Sequence, residues 1–470
     1  MTSYSKKQIL CEFKKLLYLA GPLIIMNMLV CASSMISLVF VGHLGKLALS
    51  GASVATSFVS VTGLSLTVGL STALETLCDQ SFGAAQYHLL GIHMQRAMIV
   101  LSSVSVPLAV MWFYAEKMLV FLRQDPEISA EAGLYRRYLI PCLFADALLQ
   151  CLVRFLQSQK NVIPMMLTTG IMTSLHVLIC WIKVFKFGLG SKGAALANAI
   201  SLWINVMFLS VYVRVSPSCK KTWTGFSKEA FLKIPTYLKL AVPSAIMICL
   251  EIWSFQMMVN PQFEASVLSI SLNIATMMYQ VPLGLGDATS VRVSNELGAC
   301  GAIILISGRK LWGYCYSSDK KVVSYIAQML LLVAGSHIID GIQSVLSGAV
   351  RGSGRQKIGA IMNLGSYYLI RIPLAVLFAF AFHLGLWLGI IAALISQGLS
   401  LSILTLRTNW ESLANKATHR VNDSIIRDES IVATNVNEEE TSRTETTQCV
   451  ENQNMVHECY RNKKDTSNYP

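Results

Sequence analysis

Charged side chains are scarce in this sequence. Asp, Glu, Lys and Arg together make up 14% of its 470 residues, whereas a soluble domain of average composition carries about 25%. The mean hydropathy is +0.53, and long apolar runs recur along the chain. These features predict a polytopic membrane protein rather than a soluble domain.

Several motifs that would define other functions are also missing. No G-x-x-x-x-G-K-[ST] sequence occurs, so a nucleotide-driven pump is not indicated. No D-D-x-x-D pattern marks a membrane enzyme that uses magnesium and diphosphate, such as a prenyltransferase. The 12 cysteines form no C-x-x-C pair, which indicates small buried residues rather than a disulfide framework or a zinc site. We therefore expect no catalytic residues, no metal and no cofactor.

The positive charge is explained by membrane orientation. The net charge is +12, but no basic stripe interleaved with aromatic residues appears, so nucleic acid is not an expected partner. Lys and Arg cluster before the first span and between the sixth and seventh, at Lys6, Lys7, Lys14, Lys15, Arg214, Lys220, Lys221, Lys228, Lys233 and Lys239. The positive-inside rule places these segments on the cytoplasmic side, and an even number of spans would put both termini there as well.

Apolar windows of about 20 residues, the length that crosses a bilayer as a helix, define the candidate spans. They are Leu16–Val41, Gly51–Leu74, Ala97–Leu122, Tyr138–Leu156, Val162–Phe185, Ala194–Val213, Tyr237–Val259, Ala265–Leu285, Val322–Val350, Ile358–Phe382 and Leu384–Leu406.

An internal repeat organises these spans. Three matches occur in the same order in both halves: Leu19-Ala-Gly-Pro22 with Leu240-Ala-Val-Pro243, Gly69–Ala84 with Gly284–Ala299, and Leu189–Ser201 with Leu384–Ser396. They predict two pseudo-symmetric six-helix lobes in parallel orientation, with a cleft between them near the bilayer midplane. The expected divisions are residues 1–15 as a cytoplasmic segment, 16–225 as the N-terminal lobe, 226–406 as the C-terminal lobe, and 407–470 as a disordered cytoplasmic tail poor in apolar residues.

The second lobe is expected to be incomplete. The interval from Ala84 to Asp146 is 62 residues, whereas the comparable interval from Ala299 to Asp340 is 41. The difference is about one span, and only Ala302–Ser307 remains of the third helix. Twelve spans are thus expected of the fold and about eleven of this chain, which is typical of a truncated gene model or splice product.

Several stretches resemble the multidrug and toxic compound extrusion (MATE) family, and most closely its plant detoxification group. They are Phe40–Ala55, Ala73–Gln86, Ile234–Phe255, Val291–Ala299, Val345–Leu369 and Leu406–Glu411. The resemblance covers about residues 15–411. Asp79 stands where the family usually has glycine, Asp146 at a usually uncharged position, and Arg371 where a small residue normally precedes I-P-L.

The resemblance implies a secondary active antiporter that works by alternating access. Its substrates would be organic cations, xenobiotics or plant secondary metabolites, exchanged for protons or, less readily, for sodium. It also implies a monomeric, multi-pass protein in the lipid bilayer of the vacuolar or plasma membrane. The alternative is a non-transporting truncated product of the same family. A channel is less favoured, because isolated midplane carboxylates and a two-lobe repeat suit alternating access.

Glu251, in the middle of a predicted span, is the leading candidate for proton coupling. An ionisable group there costs about 2.5–3.5 kcal/mol on insertion scales, so it indicates a proton or cation site, or else an internal polar group that fixes helix packing. Proton antiport needs a carboxylate whose pKa lies near ambient pH, a condition that burial favours. The resemblance places a coupling acid at Glu251 and a second at Asp340, for which the alternative is a hydrogen bond between helices.

Other candidates surround these two acids. Glu75 is the third acid, at a site whose repeat partner is Ser290, and its neighbour Asp79 is expected in the interfacial layer. The candidate substrate-pocket residues are Asn27, Trp253, Gln256, Asn273, Tyr279 and Gln343. Their aromatic rings fit flat cations, although an apolar lining is the default for any membrane helix. Two further predictions are structural: Asp146 and Arg154 share a partner, and His176 is a core residue.

Overall fold

The computed structural model describes residues 6–121, 123–256, 280, 336, 339–377, 387–409 and 412. Regular structure within these ranges is helical, without strands. Seven of the described helical segments are long and apolar enough to cross a membrane: Tyr18–Gly42, Lys46–Gly83, Leu89–Phe113, Pro126–Ser158, Ile163–Lys186, Gly190–Val215 and Ile234–Ser254. The prediction of an all-α polytopic membrane protein is confirmed.

The first six spans form what we call the N-terminal lobe. Its helices are α1 (Lys6–Gly42), α2 (Lys46–Val59), α3 (Ser65–Gly83), α4 (Leu89–Phe113), α5 (Ala115–Phe121), α6 (Pro126–Ser158), α7 (Ile163–Trp181) and α8 (Gly190–Val215). A π-helical turn, Ser60–Leu64, joins α2 to α3 into one span, and a second, Ile182–Lys186, ends α7. Each of the six spans predicted from Leu16 to Val213 overlaps one of these segments, although the third segment is Leu89–Phe113 rather than the predicted Ala97–Leu122.

The described helices after residue 233 form what we call the C-terminal lobe. They are α9 (Ile234–Gln256), α10 (residues 339–352), α11 (Gln356–Asn363), α12 (Ile372–Val376) and α13 (Trp387–Leu406), with a π-helical turn, Leu364–Arg371, between α11 and α12. The predicted span Ala265–Leu285 (apart from Gln280), most of Val322–Val350, the short Ala302–Ser307 and the tail beyond Ser412 lie outside the described residues. All the helices above belong to one compact unit that ends at Thr408.

Local sequence explains how the long helix α6 begins. The Asp125 side chain accepts hydrogen bonds from the backbone N–H groups of Glu127 (2.9 Å) and Ile128 (3.2 Å), and Pro126 occupies the first turn. A capping aspartate followed by proline is a strong helix start, because the carboxylate satisfies backbone donors that the helix leaves free. This start fixes the helix that carries Asp146 and Arg154.

The seventh span lies against the N-terminal lobe through α3. A Cβ atom on Gly69 would come within 2.5 Å of the Ala245 Cα atom, so the two backbones meet where one residue has no side chain. On either side of this contact, Trp253 Nε1 donates to the Val61 carbonyl (2.7 Å) and the Cys249 thiol contacts Ser65 Oγ (3.5 Å). Residue numbers fall on α3 as they rise on α9, so the helices run antiparallel.

Candidate functional site

The structure brings together the two acids ranked first from the sequence. Glu251 on α9 is 9% exposed and Asp340 on α10 is 6% exposed. The two carboxylates interact electrostatically with each other and with the guanidinium of Arg371. The site therefore contains a buried cation, Arg371, whose sequence signal is only its departure from the family pattern.

Arg371 is held at the end of its π-helical turn by contacts to α9. Its side chain is 0% exposed, and Nη1 donates a hydrogen bond to Ser254 Oγ (2.9 Å). The guanidinium carbon lies 5.6 Å from the centroid of the Tyr367 ring. Ser254 Oγ in turn donates to the backbone carbonyl of Glu251 (2.8 Å). Arg371 is thus attached to the same turn of α9 that carries the acid.

Two buried side chains in this cluster have polar atoms available for a ligand. Asp340 Oδ1 and both amide atoms of Gln343 are buried and have no hydrogen-bond partner among the described residues. An unsatisfied buried polar atom costs about 1–3 kcal/mol, so a substrate or water that met these atoms would be stabilised. Asp340 and Gln343 lie three residues apart on one face of α10, so one ligand could meet both side chains.

A chain of polar side chains lies one turn from Glu251 along α9. Asn363 Nδ2 donates to the Met247 carbonyl (2.9 Å), and Gln397 Nε2 donates to Asn363 Oδ1 (2.7 Å). These bonds join α9, α11 and α13 next to the acids. Sequence reasoning missed Ser254, Asn363 and Gln397, whose signal is a polar side chain within an apolar run.

Glu75 lies apart from the other two acids. It forms an ion pair with Arg154 (Oε2 to Nη1, 2.9 Å), and Arg154 Nη1 also donates to Gln157 Oε1 (3.2 Å). The register of α3 on α9 sets Glu75 opposite the start of α9, about 12 residues or about 18 Å along the helix from Glu251. Asp79 is exposed in the last turn of α3, and its place in the interfacial layer stays a prediction.

Asp146 and Arg154 do not share a partner, so that prediction was wrong. Asp146 Oδ2 accepts from Thr67 Oγ1 (2.7 Å) and Oδ1 accepts from Gln150 Nε2 (3.3 Å), whereas Arg154 pairs with Glu75. The two side chains reach different neighbours because they lie two turns apart on α6. The prediction for His176 is confirmed: it is 0% exposed and hydrogen-bonded to Ser37 Oγ (2.9 Å) and Ser201 Oγ (3.0 Å).

The remaining candidate pocket residues are only partly brought to the acids. The Trp253 side chain is 40% exposed, and its indole N–H donates a hydrogen bond to the Val61 carbonyl. Asn27 on α1 has a buried Nδ2 atom without a hydrogen-bond partner in the described ranges. Gln256 ends α9, but its side chain lies outside the described part of the structure, as do Asn273 and Tyr279.

No metal-binding cluster appears in the part of the chain that the structure describes, where no three His, Cys, Asp or Glu side chains are arranged to hold an ion. The described cysteines are free: Cys31, Cys78, Cys142, Cys151, Cys180, Cys219 and Cys249.

Ionisable side chains kept between membrane-spanning helices typically mark the path of an ion or substrate, so the fold and the acid cluster fit a membrane transporter. The family model MatE matches residues 22–182 and 300–377. The chain belongs to the MATE family of membrane transporters, as the sequence resemblance implied.

Curated relatives in Arabidopsis thaliana cover almost the whole transporter region. Protein DETOXIFICATION 16 is 51% identical over 445 residues, which cover 88% of this chain and 92% of the relative. Protein DETOXIFICATION 17 is 50% identical over 449 residues, which cover 89% of this chain and 94% of the relative. These spans do not favour the truncated-product alternative over a transporter, and these relatives are not enzymes.

Solved structures show the same fold. The crystal structure of the eukaryotic MATE transporter AtDTX14 superposes with a TM-score of 0.84 at 40% sequence identity, covering 88% of this chain and 99% of that chain. A MOP superfamily transporter from Pyrococcus furiosus has a TM-score of 0.74 at 15% identity, covering 83% of this chain and 94% of that chain. At that identity the second match concerns the fold alone.

Proposed function

We propose that this protein is a secondary active antiporter that exports organic cations, xenobiotics or secondary metabolites in exchange for protons. The observation that carries the proposal is the buried cluster of Glu251, Asp340 and Arg371. Asp340 Oδ1 and the Gln343 amide add polar atoms without partners among the described residues.

The charges of the cluster supply a physical basis for antiport. Two ionised carboxylates and one guanidinium leave one net negative charge in a buried site. Because an uncompensated buried charge is costly, the site favours the uptake of either one proton or one monovalent cation. Binding one lowers the affinity for the other, and this competition couples the two flows.

The transport cycle follows from that competition. In the outward-facing state Glu251 takes up a proton and the cationic substrate leaves. The lobes then rock, the proton leaves to the cytoplasm, and the restored carboxylate attracts new substrate, with Asp340 and Gln343 orienting it. Exchange of one proton for one monovalent cation moves no net charge, so the pH difference alone drives it. Each unit of pH difference is worth about 1.4 kcal/mol and supports a substrate gradient of about tenfold.

Glu75 is assigned a secondary place in this cycle. Its ion pair with Arg154 already compensates its charge, so it would bind a proton only in a state where that pair opens. We expect the protein to act as a monomer in the vacuolar or plasma membrane, with both termini cytoplasmic.

The test is proton-driven uptake of a fluorescent organic cation by proteoliposomes that contain the full chain. Glu251→Gln should abolish accumulation driven by a pH gradient. Glu116→Gln is the matched control: the same change at an acid that is 40% exposed and paired with Arg137, where transport should stay at the wild-type rate. Equal accumulation in wild type and Glu251→Gln would refute the coupling role of Glu251. Accumulation driven only by a sodium gradient would refute the proton as the coupling ion.

A further inference from the structure

Asp146 is a buried acid that the proposed cycle does not use. It lies on α6 in the N-terminal lobe, is 6% exposed, and its hydrogen bonds come from the hydroxyl of Thr67 (2.7 Å) and the amide of Gln150 (3.3 Å). Neither partner carries a charge. A buried carboxylate without a cation beside it is costly unless it binds a proton.

The charged groups on neighbouring helices are engaged elsewhere. Arg154, two turns along α6, pairs with Glu75. Arg136 on α6 lies 3.8 Å from the Phe58 ring centroid, and on α4 Arg96 lies 3.1 Å from His93. The titratable groups that interact with Asp146 are the thiols of Cys142 and Cys151 on its own helix. Within the described ranges, no cation pairs with Asp146.

The hydrogen bonds around Asp146 satisfy both of its protonation states without moving a heavy atom. When Asp146 is ionised, Thr67 Oγ1 donates to Oδ2. When Asp146 is neutral, its O–H donates to Thr67 Oγ1, and Thr67 donates instead to the Leu64 carbonyl, 3.1 Å away. Gln150 can donate to Oδ1 in either state, because that atom remains an acceptor.

The Thr67 hydroxyl, which would change its acceptor, lies next to the π-helical turn Ser60–Leu64. Leu64, whose carbonyl is the second acceptor, is the last residue of that turn. In the same turn, the Val61 carbonyl accepts hydrogen bonds from Ser65 Oγ (2.7 Å) and from Trp253 Nε1 of α9 (2.7 Å). Trp253 is two residues from Glu251. A contiguous set of contacts therefore joins Asp146 to the helix that carries the principal acid.

We propose that Asp146, with Thr67, forms a second proton-binding site, in the N-terminal lobe. The inference rests on the proposed antiport, and it adds to the cycle one proton that is taken up and released at Asp146. Proton uptake turns the Thr67 hydroxyl from Asp146 to Leu64, and proton release turns it back. The substrate of the N-terminal site is the proton alone.

The first test measures how many protons are exchanged for each substrate. In proteoliposomes clamped at zero membrane potential, the logarithm of the substrate ratio is plotted against the pH difference, and its slope gives the number of protons per substrate. Asp146→Asn should lower the slope by one proton. Asp125→Asn is the matched control, because it makes the same change at the exposed start of α6, where asparagine caps equally well. A wild-type slope in Asp146→Asn overturns the second site.

The second test needs no transport. Infrared difference spectra of the detergent-solubilised protein between acidic and alkaline pH report carboxylic C=O stretches. One such band should be missing from Asp146→Asn and present in Asp125→Asn and in Glu116→Gln. Thr67→Val, which retains Asp146, should shift the frequency of that band, whereas Thr67→Ser should not. If Asp146→Asn does not fold, the comparison of Thr67→Val with Thr67→Ser tests the proposal instead. A band whose frequency is unchanged in Thr67→Val overturns it. Loss of proton coupling in Glu251→Gln alone bears on the proposed function and leaves this band in place.

Discussion

Each lobe joins its first helix to a later helix through a buried basic side chain, and the two side chains differ in charge. The repeat aligns Leu189 with Leu384, which makes His176 the counterpart of Arg371. Each side chain bonds to a serine on the first helix of its own lobe: His176 Nε2 and Ser37 Oγ lie 2.9 Å apart, and Arg371 Nη1 donates to Ser254 Oγ over the same distance. The two serines are not themselves counterparts, because the alignment of Pro22 with Pro243 matches Ser254 to Ser33, one turn before Ser37. The repeat therefore reproduces the pair of joined helices but not the position of the bond on the first helix.

The C-terminal brace, the bond between Arg371 and Ser254, carries a permanent charge, whereas the N-terminal brace, the bond between His176 and Ser37, does not. A guanidinium stays protonated in proteins, whereas an imidazole can be neutral. The alignment of Pro22 with Pro243 makes Val30, which is 41% exposed, the counterpart of Glu251. Acid and cation are thus present together in one lobe and missing together from the equivalent positions of the other. We infer that Arg371 compensates the acids as well as bracing the helices.

Replacing Arg371 should give the largest effect on stability. Arg371→Met keeps an unbranched apolar stem but removes the guanidinium, which leaves Glu251 and Asp340 without their cation. Removing one partner from buried charges typically costs about 3–5 kcal/mol, so the thermal midpoint in detergent should fall steeply. The wild-type and variant midpoints, followed by tryptophan fluorescence, provide the measurement.

A double-mutant cycle separates compensation from bracing. If Arg371 compensates the acids, Arg371→Met combined with Glu251→Gln should lose less than the sum of the two single changes, by about 0.5–3 kcal/mol. Additive losses would mean that Arg371 serves only as a brace, as His176 does.

The sequence predicted the spans well and the contacts between them poorly. Hydropathy located all six spans of the N-terminal lobe, because a window of about 20 apolar residues is a direct consequence of bilayer thickness. Burial of Glu251 and Asp340 followed from their place in such windows. The Thr67–Asp146 bond and the Ser254–Arg371 bond did not follow, because they depend on how each helix is rotated. The π-helical turns, which change that rotation, have no simple pattern in the sequence.

Breaking the N-terminal brace should have a smaller effect. His176→Leu removes the bonds to Ser37 and Ser201 from a fully buried site, and side-chain hydrogen bonds between membrane helices contribute on average about 0.6 kcal/mol and at most about 1.7. The thermal midpoint should therefore fall modestly. The number of protons exchanged per substrate should stay the same, because no acid lies at the equivalent of Glu251. A change in that number would show that the N-terminal brace is itself part of the coupling machinery.

The smallest effect is expected at Trp253, which the sequence assigned to the substrate pocket. Trp253→Phe removes the hydrogen bond to the Val61 carbonyl, at a cost of about 0.6 kcal/mol, and keeps an aromatic ring. Because the side chain is 40% exposed and its N–H is bonded to the π-helical turn, we expect the KM for an aromatic cation to be unchanged. Trp112→Phe is the matched control, since Trp112 Nε1 donates to Thr62 Oγ1 of the same turn (3.0 Å) from within the N-terminal lobe. A KM raised several-fold in Trp253→Phe but not in Trp112→Phe would show that Trp253 contacts the substrate. Its hydrogen bond to Val61 would then be present in only one state of the transport cycle.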